Sequence, residues 1–375
     1  MDPIMCQMFF KLILEIELDK PSIACYVTIH CMSCYHTLHV KAMSCMRVNR
    51  FLLSIVLLTI ILTQISCKRK LPLAGGKKTE IITVCDEVTY NLIEKALDFS
   101  LLRIIYTPTK EYIFSIKVVS PDKFPIYRYR RNIFIVGKLG TPLIDSLLAP
   151  EAREQAASNK AYIFGREDLY AKGQSVLIVA APKSEMLPQI IESDSALIFN
   201  YFAEGIRKRL KNGLYKDGYQ EDIAERLRVR YGFSIHIPPG WYLVKEDPEG
   251  RFVKFMRHYP DRVISIYWEN KPRDFLTKEE AISIRDNIGK NYYEGDFVDS
   301  KRTKFYFVKF HGITAQKLDG IWQNNEKVMG GPFIAYLFST HNKFYLIDMH
   351  VFAPGEKKWY WLQQLELICD TFETF

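Results

Sequence analysis

From residue 80 onward, apolar positions alternate between two periods. Ile81-Ile82-Thr83-Val84 is apolar and β-branched, which predicts a strand. Val88, Leu92, Ile93, Ala96 and Leu97 then follow at helical spacing over residues 87–99. The same reading predicts strands at 113–119, 132–136 and 176–180. It predicts helices at 149–157, at 184–211 with a soft break near Pro188, and at 220–228. In the second half Phe233, Ile235 and Ile237 alternate with polar residues, so one face of that segment is buried, and Pro239-Gly240 makes a turn. Strands are predicted at 252–256, 263–268, 305–310, 314–322, 333–339 and 344–352. A helix over 278–290 interrupts them and another over 356–372 closes the chain. Many successive strands with few helices predict an α+β fold of two α/β sandwich-like halves, with mostly antiparallel sheets covered by helices.

The pattern before residue 80 is different. Met46–Cys67 has basic Arg47 and Arg50, then an apolar run over 51–62 broken only by Ser54 and Thr59, then Thr63, Gln64 and a small Ser66 before Cys67. A span needs about 20 apolar residues to cross the hydrocarbon core. This run is shorter and fits the apolar region of a secretory leader. A small residue followed by Cys, just after that region, resembles a bacterial lipobox, although Gln64 stands where Leu is usual. The resemblance implies cleavage at Cys67 and acylation of its thiol; an uncleaved anchor or an ordinary signal peptide is the alternative. A leader acts at the N-terminus, so residues 1–45 read as a mis-called extension ahead of Met46. The division expected is 1–45 extension, 46–67 lipoprotein signal peptide, 68–79 tether, 80–228 N-terminal α+β domain and 229–375 C-terminal domain.

Composition changes this picture in one respect. The chain has 375 residues, 25% of them charged, which excludes a multi-span membrane protein and a disordered one. Of its 8 cysteines, Cys6, Cys25, Cys31, Cys34 and Cys45 precede the leader. The apparent cysteine richness therefore belongs to the extension, and only Cys85 and Cys369 remain in the body after Cys67. Removing residues 1–67 takes away five basic and four acidic side chains, so the net charge of +8 falls only to +7. Lys68-Arg69-Lys70 leaves a basic start beside the presumptive bilayer, where each such residue is worth about 1 kcal/mol.

Candidate chemistry is sparse. Met329-Gly330-Gly331-Pro332-Phe333 is the most distinctive stretch. Its glycines permit a ligand-facing loop with bare N–H groups, with Trp322 nearby, or else a hairpin entry with Trp322 packed on it. Asp348 and His350 are two apart in a strand, share a face, and make a polar pair suited to acid–base work. No nucleophile elbow, zinc-protease, P-loop or dinucleotide motif is present, so an enzyme is disfavoured and no cofactor or metal is expected. Arg128–Arg131, Arg207–Lys211 and Arg226–Arg230 are basic clusters with Tyr129 and Tyr231 interleaved. In an exported protein they suit lipid phosphate or an acidic glycan better than nucleic acid, and solvated faces remain their default reading.

Several segments together resemble a Bacteroidota envelope lipoprotein family of unknown function. They are Gly320-Ile-Trp322, Met329–Phe333, Tyr336, Phe352-Ala-Pro354, Lys357-Lys358 and Leu365-Glu366. Pro121–Phe124, Arg130–Asn132 and Arg285-Asp286 match in the earlier part. The resemblance covers about residues 79–373; Asp319 and Lys358-Trp359 depart from its pattern. The opening from Gly232 to Trp241 is similar to the PsbP and Mog1-like α/β/α sandwich, an analogy of fold alone. The resemblance implies a lipid-anchored protein of the bacterial envelope, in the inner or outer membrane, with its body in the periplasm. The expected function is a non-enzymatic binding or interaction module. Its expected partners are the membrane through Cys67 and an envelope protein or an anionic lipid or glycan. The alternative is a periplasmic hydrolase or small-ligand or glycan binder using Asp348 and His350 near the Gly330-Gly331 loop.

Overall fold

The computed structural model describes residues 26–31, 36–41, 71–159 and 162–375. The leader, Cys67 and Lys68–Lys70 lie outside the described residues. The chain divides into two compact units, 1–70 and 71–375. In the first, strands β1 (Tyr26–Cys31) and β2 (His36–Lys41) pair as an antiparallel hairpin. In the second, every described core residue lies between Ile81 and Phe372, so this unit buries its own core. Among the described residues, no helix is long and apolar enough to cross a membrane.

The first half is built on β3 (Glu80–Val84), β6 (Ser115–Val119), β7 (Asn132–Lys138), β8 (Ile163–Glu167) and β9 (Ser175–Ala181), with a short hairpin of β4 (Ile104–Tyr106) and β5 (Lys110–Tyr112) between β3 and β6. The sheet order is β6-β3-β7-β9-β8. β3 runs parallel to β6 and β7, and β7 runs parallel to β9; only β8 is antiparallel. The reason is legible in burial. β7 and β9 are apolar along almost their whole length and buried on both faces, which suits central strands under two helical layers. One layer is α1 (Glu87–Leu101), α5 (Leu187–Ser193) and α6 (Ser195–Leu214). The other is α2 (Phe124–Tyr127), α3 (Pro142–Leu147) and α4 (Pro150–Ala157). Asp86 starts α1 by accepting from the Thr89 backbone N–H at 2.8 Å.

α7 (Glu221–Tyr231) leads into the second half and stops at Gly232, whose φ of 76° is the left-handed conformation that ends helices. The second sheet comprises β11 (Tyr242–Asp247), β12 (Phe252–Arg257), β13 (Asp261–Glu269), β14 (Phe297–Val298), β15 (Lys304–Phe310), β16 (Ile313–Asn324), β17 (Met329–Thr340) and β18 (Lys343–Phe352). Its order is β11-β12-β13-β18-β17-β16-β14, with β15 also on β16, and every pair is antiparallel. The two-residue strands β10 (Phe233–Ser234) and β19 (Glu373–Thr374) pair and fasten the chain end to the start of this half. Helix α8 (Lys278–Tyr292) covers one face. It opens with a capping box in which Thr277 and Glu280 satisfy each other's backbone N–H groups. Helix α9 (Trp359–Cys369) covers the other face, where it also meets α6. The α+β fold in two halves, mostly antiparallel with covering helices, is the expected one. The parallel core of the first sheet is what the sequence pattern does not specify.

Of the two readings of the glycine-rich stretch, the register decides for the hairpin entry against Trp322 and not for the ligand-facing loop. Met329–Phe333 is not a loop but the first five residues of β17, with Gly331 opposite Trp322 and Pro332 opposite Ile321. Pairing with β18 begins at Phe333, the residue after the proline that has no N–H to give. Gly331 is required by packing: a Cβ there would collide with the Val351 carbonyl oxygen and lie 3.0 Å from Trp322 Nε1. Gly331→Ala should therefore cost about 1–3 kcal/mol by overpacking, read as a lowered urea midpoint with unchanged m-value. An unchanged midpoint would mean that the strand relaxes freely at this point.

Candidate functional site

The second sheet's α8 face carries a polar row within an apolar layer. Register places Lys254, Ser265, Asp348 and Ala335 side by side across β12, β13, β18 and β17, with His350 one pair along, opposite Val263 and Phe333. Asp348 and His350 do share a face, and His350 Nδ1 lies 3.1 Å from Asp348 Oδ2. Arg285 reaches down from α8, its Nε donating to Asp348 Oδ1 at 3.4 Å, and both side chains are 0% exposed. The rings of Phe333 and Tyr293 lie 5.2 and 5.4 Å from the guanidinium carbon. Tyr293 is also hydrogen-bonded to Ser265 and packs edge-on to His350 at 4.7 Å.

Electrostatics explain why this cluster is closed. Burial pushes the Asp348 carboxyl up, but Arg285 and His350 outweigh it and hold the group below the usual carboxylate range. Burial raises Asp286 and Asp296, the other acids near Arg285. The network therefore serves as an internal brace of an ion pair and rings. Neither Asp348 nor His350 lines the cleft between the halves.

An open site lies elsewhere, where the halves meet. A cleft of about 790 Å³ is bounded by Lys78 before β3, by Arg209, Leu214 and Asp217 around the end of α6, and by the Pro239-Gly240-Tyr242 turn. Arg257–Tyr259 and Arg262 from the β12–β13 hairpin, and Tyr360, Trp361 and Gln364 at the start of α9, complete it. Arg262 is buried at 3% exposure. It donates to the Pro260 and His258 carbonyls, both at 3.0 Å, and to Gln364 Oε1 at 2.5 Å. Arg209 donates to Ser175 Oγ at 2.9 Å and to Asn132 Oδ1. These acceptors are neutral. Among the described residues none of Lys78, Arg209, Arg257 and Arg262 forms an ion pair. Asp217 is the one carboxylate in the lining.

The consequence appears in the proton affinities. Burial, then Arg257 alongside, brings Arg262 down to about 10; burial, then Arg131, does the same to Arg209. Aromatic surface lies next to this charge. Lys78 Nζ sits 4.2 Å from the Tyr360 ring and 4.7 Å from Trp361, and Arg262 lies 4.6 Å from the same Trp361. Tyr242 and Tyr259 stand exposed at the rim. Such a cleft can hold an anion on fixed N–H donors and an apolar ring face beside it.

Of the residues singled out from sequence, the structure brings Trp322, Phe333 and His350 together under α8: Trp322 lies 5.4 Å from His350. Met329, Gly330, Gly331 and Pro332 are strand positions on the same hairpin. Cys85 and Cys369 are both buried and free. Of the basic clusters, one member, Arg209, lines the cleft. Arg262, Tyr360 and Trp361 carry no motif; the available signals were an arginine inside the apolar strand β13, directly before Val263, and the aromatic run Trp359-Tyr360-Trp361. No described group of three or more His, Cys, Asp and Glu residues is placed to hold a metal ion.

Replacing Arg285 tests the brace. Arg285→Met leaves Asp348 buried without its cation and should cost about 3–5 kcal/mol at pH 7 in denaturant unfolding. Without Arg285, burial raises the folded-state affinity of Asp348 above its unfolded one, so the variant gains stability as pH falls. The deficit relative to the parent should shrink towards pH 4. A deficit that is constant between pH 7 and pH 4 would assign the loss to packing alone.

Two family models match successive segments of the chain. Residues 74–215 match the one described as "Domain of unknown function (DUF8532)", and residues 220–371 the one described as "Domain of unknown function (DUF4837)". No curated protein sequence matches significantly. Similar solved structures include a protein from Bacteroides thetaiotaomicron, at 15% identity, covering 39% of this chain and 46% of that one, with a TM-score of 0.26. Cyanobacterial PsbP (CyanoP) from Synechocystis sp. PCC 6803 is similar at 14% identity, over 38% and 87% of the two chains, with a TM-score of 0.28. LpqN, involved in cell envelope biogenesis of Mycobacterium tuberculosis, is similar at 10% identity, over 37% and 81%, with a TM-score of 0.25. The chain spans less than half the length of the first of these. It is thus similar, over two segments that abut between residues 215 and 220, to two families of unknown function.

Proposed function

We propose that this is a lipid-anchored protein of the bacterial envelope. Its body, on the periplasmic side, is a non-enzymatic module that binds an anionic ligand in the cleft between its halves. The ligand class is a carboxylate or phosphate carried next to a flat or apolar ring, as in an acidic glycan or a glycolipid headgroup. The observation that carries this reading is the gathering of Lys78, Arg209, Arg257 and Arg262, none of them in an ion pair among the described residues, beside Tyr360 and Trp361. Cations held on neutral acceptors and partly removed from water are costly unless an anion joins them. Anchoring is supported by the leader and the Ser66-Cys67 step. A hydrolase reading for Asp348 and His350 has less support, since Asp348 is fully enclosed by the sheet and α8.

Two measurements check the two parts. Uronic acids and sugar phosphates, screened by calorimetry, should bind the parent. Arg262→Gln should weaken the best of them by about 10–100-fold, the worth of one or two charged hydrogen bonds. A ligand held equally well by Arg262→Gln would remove the cleft from the function. Intact mass of the membrane-extracted protein should show an acylated Cys67 as first residue, and Cys67→Ser should abolish fatty-acid labelling. Labelling that persists in Cys67→Ser would end the anchoring claim.

A further inference from the structure

The segment just before β3 does not hang free of the body. The Pro72 carbonyl accepts from Lys172 N at 2.7 Å, Ala74 N donates to the Lys172 carbonyl at 3.0 Å, and Gly75 N donates to the Tyr129 carbonyl at 2.9 Å. Arg131 N returns a bond to the Gly75 carbonyl at 3.1 Å, and its guanidinium caps the Gly76 carbonyl. The chain therefore enters the body at a fixed place, against the segment that leads from α2 into β7 and the turn that leads into β9.

Around that place the surface is apolar and basic together. Leu71, Leu73, Ile126 and Tyr129 are exposed, Leu73 at 79% and Ile126 at 74%. Lys117 and Arg130 lie 4.7 and 5.8 Å from the Tyr127 ring, and Arg128 lies 4.9 Å from that of Tyr129. Among the described residues neither these three cations nor Lys172 forms an ion pair. Asp122 and Asp168 are the acids of the same segments and are outnumbered. Leucine and isoleucine side chains standing among cations and tyrosines match a bilayer interface, with acyl chains below and anionic headgroups around.

We infer that this face docks the body onto an anionic lipid surface. The inference rests on the anchored reading for where the bilayer is. Cys67 is four residues ahead of Leu71, and four residues reach at most about 14 Å. An acylated Cys67 therefore brings Leu71 and Leu73 to the headgroups, with Lys68, Arg69 and Lys70 between them. Two weak contacts, acyl chain and face, then hold one orientation, because the second binds at the high effective concentration set by so short a tether.

The test uses residues 68–375, which contain the whole compact unit and lack Cys67 and the leader, so that it reads the face alone. Vesicles containing phosphatidylglycerol should co-sediment this protein, and vesicles of phosphatidylcholine alone should do so much less. Leu73→Asp with Ile126→Asp should lower the partition coefficient by about tenfold or more. Lys117→Glu with Lys172→Glu should abolish the preference for anionic lipid. Val229→Asp, an equal change in polarity at an exposed position on α7, should leave binding as it is, and all variants should keep the parent's thermal melt. Failure to sediment with anionic vesicles, or binding of the first double variant equal to the parent's, overturns the docking face while acylation of Cys67 stands or falls by mass. Loss of acylation with vesicle binding intact removes the anchor and leaves the face.

Discussion

The structure of the body depends on one shared apolar layer. The inward face of the first sheet, through Phe134, Leu177 and Val179, packs under α1, α5 and α6. The same continuous cluster extends through Leu362, Leu365 and Ile368 of α9 to Ile264, Ile347 and Met349 of the second sheet. Helix α9 is therefore buried against both halves. Polar ties flank it: Lys358 pairs with Glu111 at 2.6 Å, Arg207 with Asp370, and Lys317 with Glu366 at 2.8 Å. Burial of this kind is non-directional and supplies most of the stability, whereas the flanking ion pairs, two of them largely buried, offset their attraction by desolvation and fix the angle of approach. Because one helix belongs to both cores, the halves cannot separate without exposing apolar surface on each. That is what allows side chains as far apart in sequence as Lys78 and Trp361 to form one cleft.

The two faces of the second sheet solve the same problem in opposite ways. Under α8, a wholly buried arginine is neutralised by a wholly buried aspartate and enclosed by rings, which leaves no access to solvent. On the other face, Arg262 is almost as buried but its hydrogen-bond acceptors are only carbonyls and an amide. Glu356 and Asp261 act on it from beyond ion-pair distance, and Arg257 beside it raises the cost of its charge. A protein that needed only stability would place an apolar side chain at either position. The first arrangement is balanced in charge, although both Arg285 Nη atoms stay buried without a hydrogen-bond partner, and reads as architecture. The second is incomplete in charge and opens on water, and perturbed groups of that sort concentrate at binding sites.

Local pattern carried much of this fold. Helical spacing through Val88 to Leu97 corresponds to a helix within two residues of the one expected, and Phe233, Ile235 and Ile237 are buried as their alternation implies, although only Phe233 and Ser234 form a strand. The pairing of Asp348 with His350 also followed from the two-residue period of a strand. What failed was punctuation and distance. Gly330-Gly331-Pro332 has the composition of a turn. It lies in a strand because close passage of the Val351 carbonyl leaves no room for a side chain, a fact of tertiary packing that no local rule contains. The turn itself falls one step earlier, between β16 and β17. Parallel pairing of β3, β6, β7 and β9 likewise depends on crossovers of some tens of residues, over which apolar period is silent about direction. The cleft was hidden for the same reason. Arg209 sat inside a basic run that reads as a solvated helix face, Arg262 belongs to no run, and Tyr360 and Trp361 sit in an aromatic run at a helix start whose spatial neighbours the sequence does not give.

The entry segment joins these themes in a few residues. Arg131 holds the Gly76 carbonyl with its guanidinium and adds positive potential at both Lys78 and Arg209. The same side chain therefore fixes where the chain enters the body and contributes to the field inside the cleft. Lys78, two residues beyond Gly76, then places its ammonium over Tyr360 and Trp361 at the start of α9. The bonds at Ala74, Gly75 and Gly76 fix the segment that carries Lys78 to the cleft's aromatic wall. The same hydrogen bonds that fix the entry segment therefore help to position a cleft residue. Arg131 and Lys78 thus join the entry segment and the cleft's aromatic wall into one part of the body.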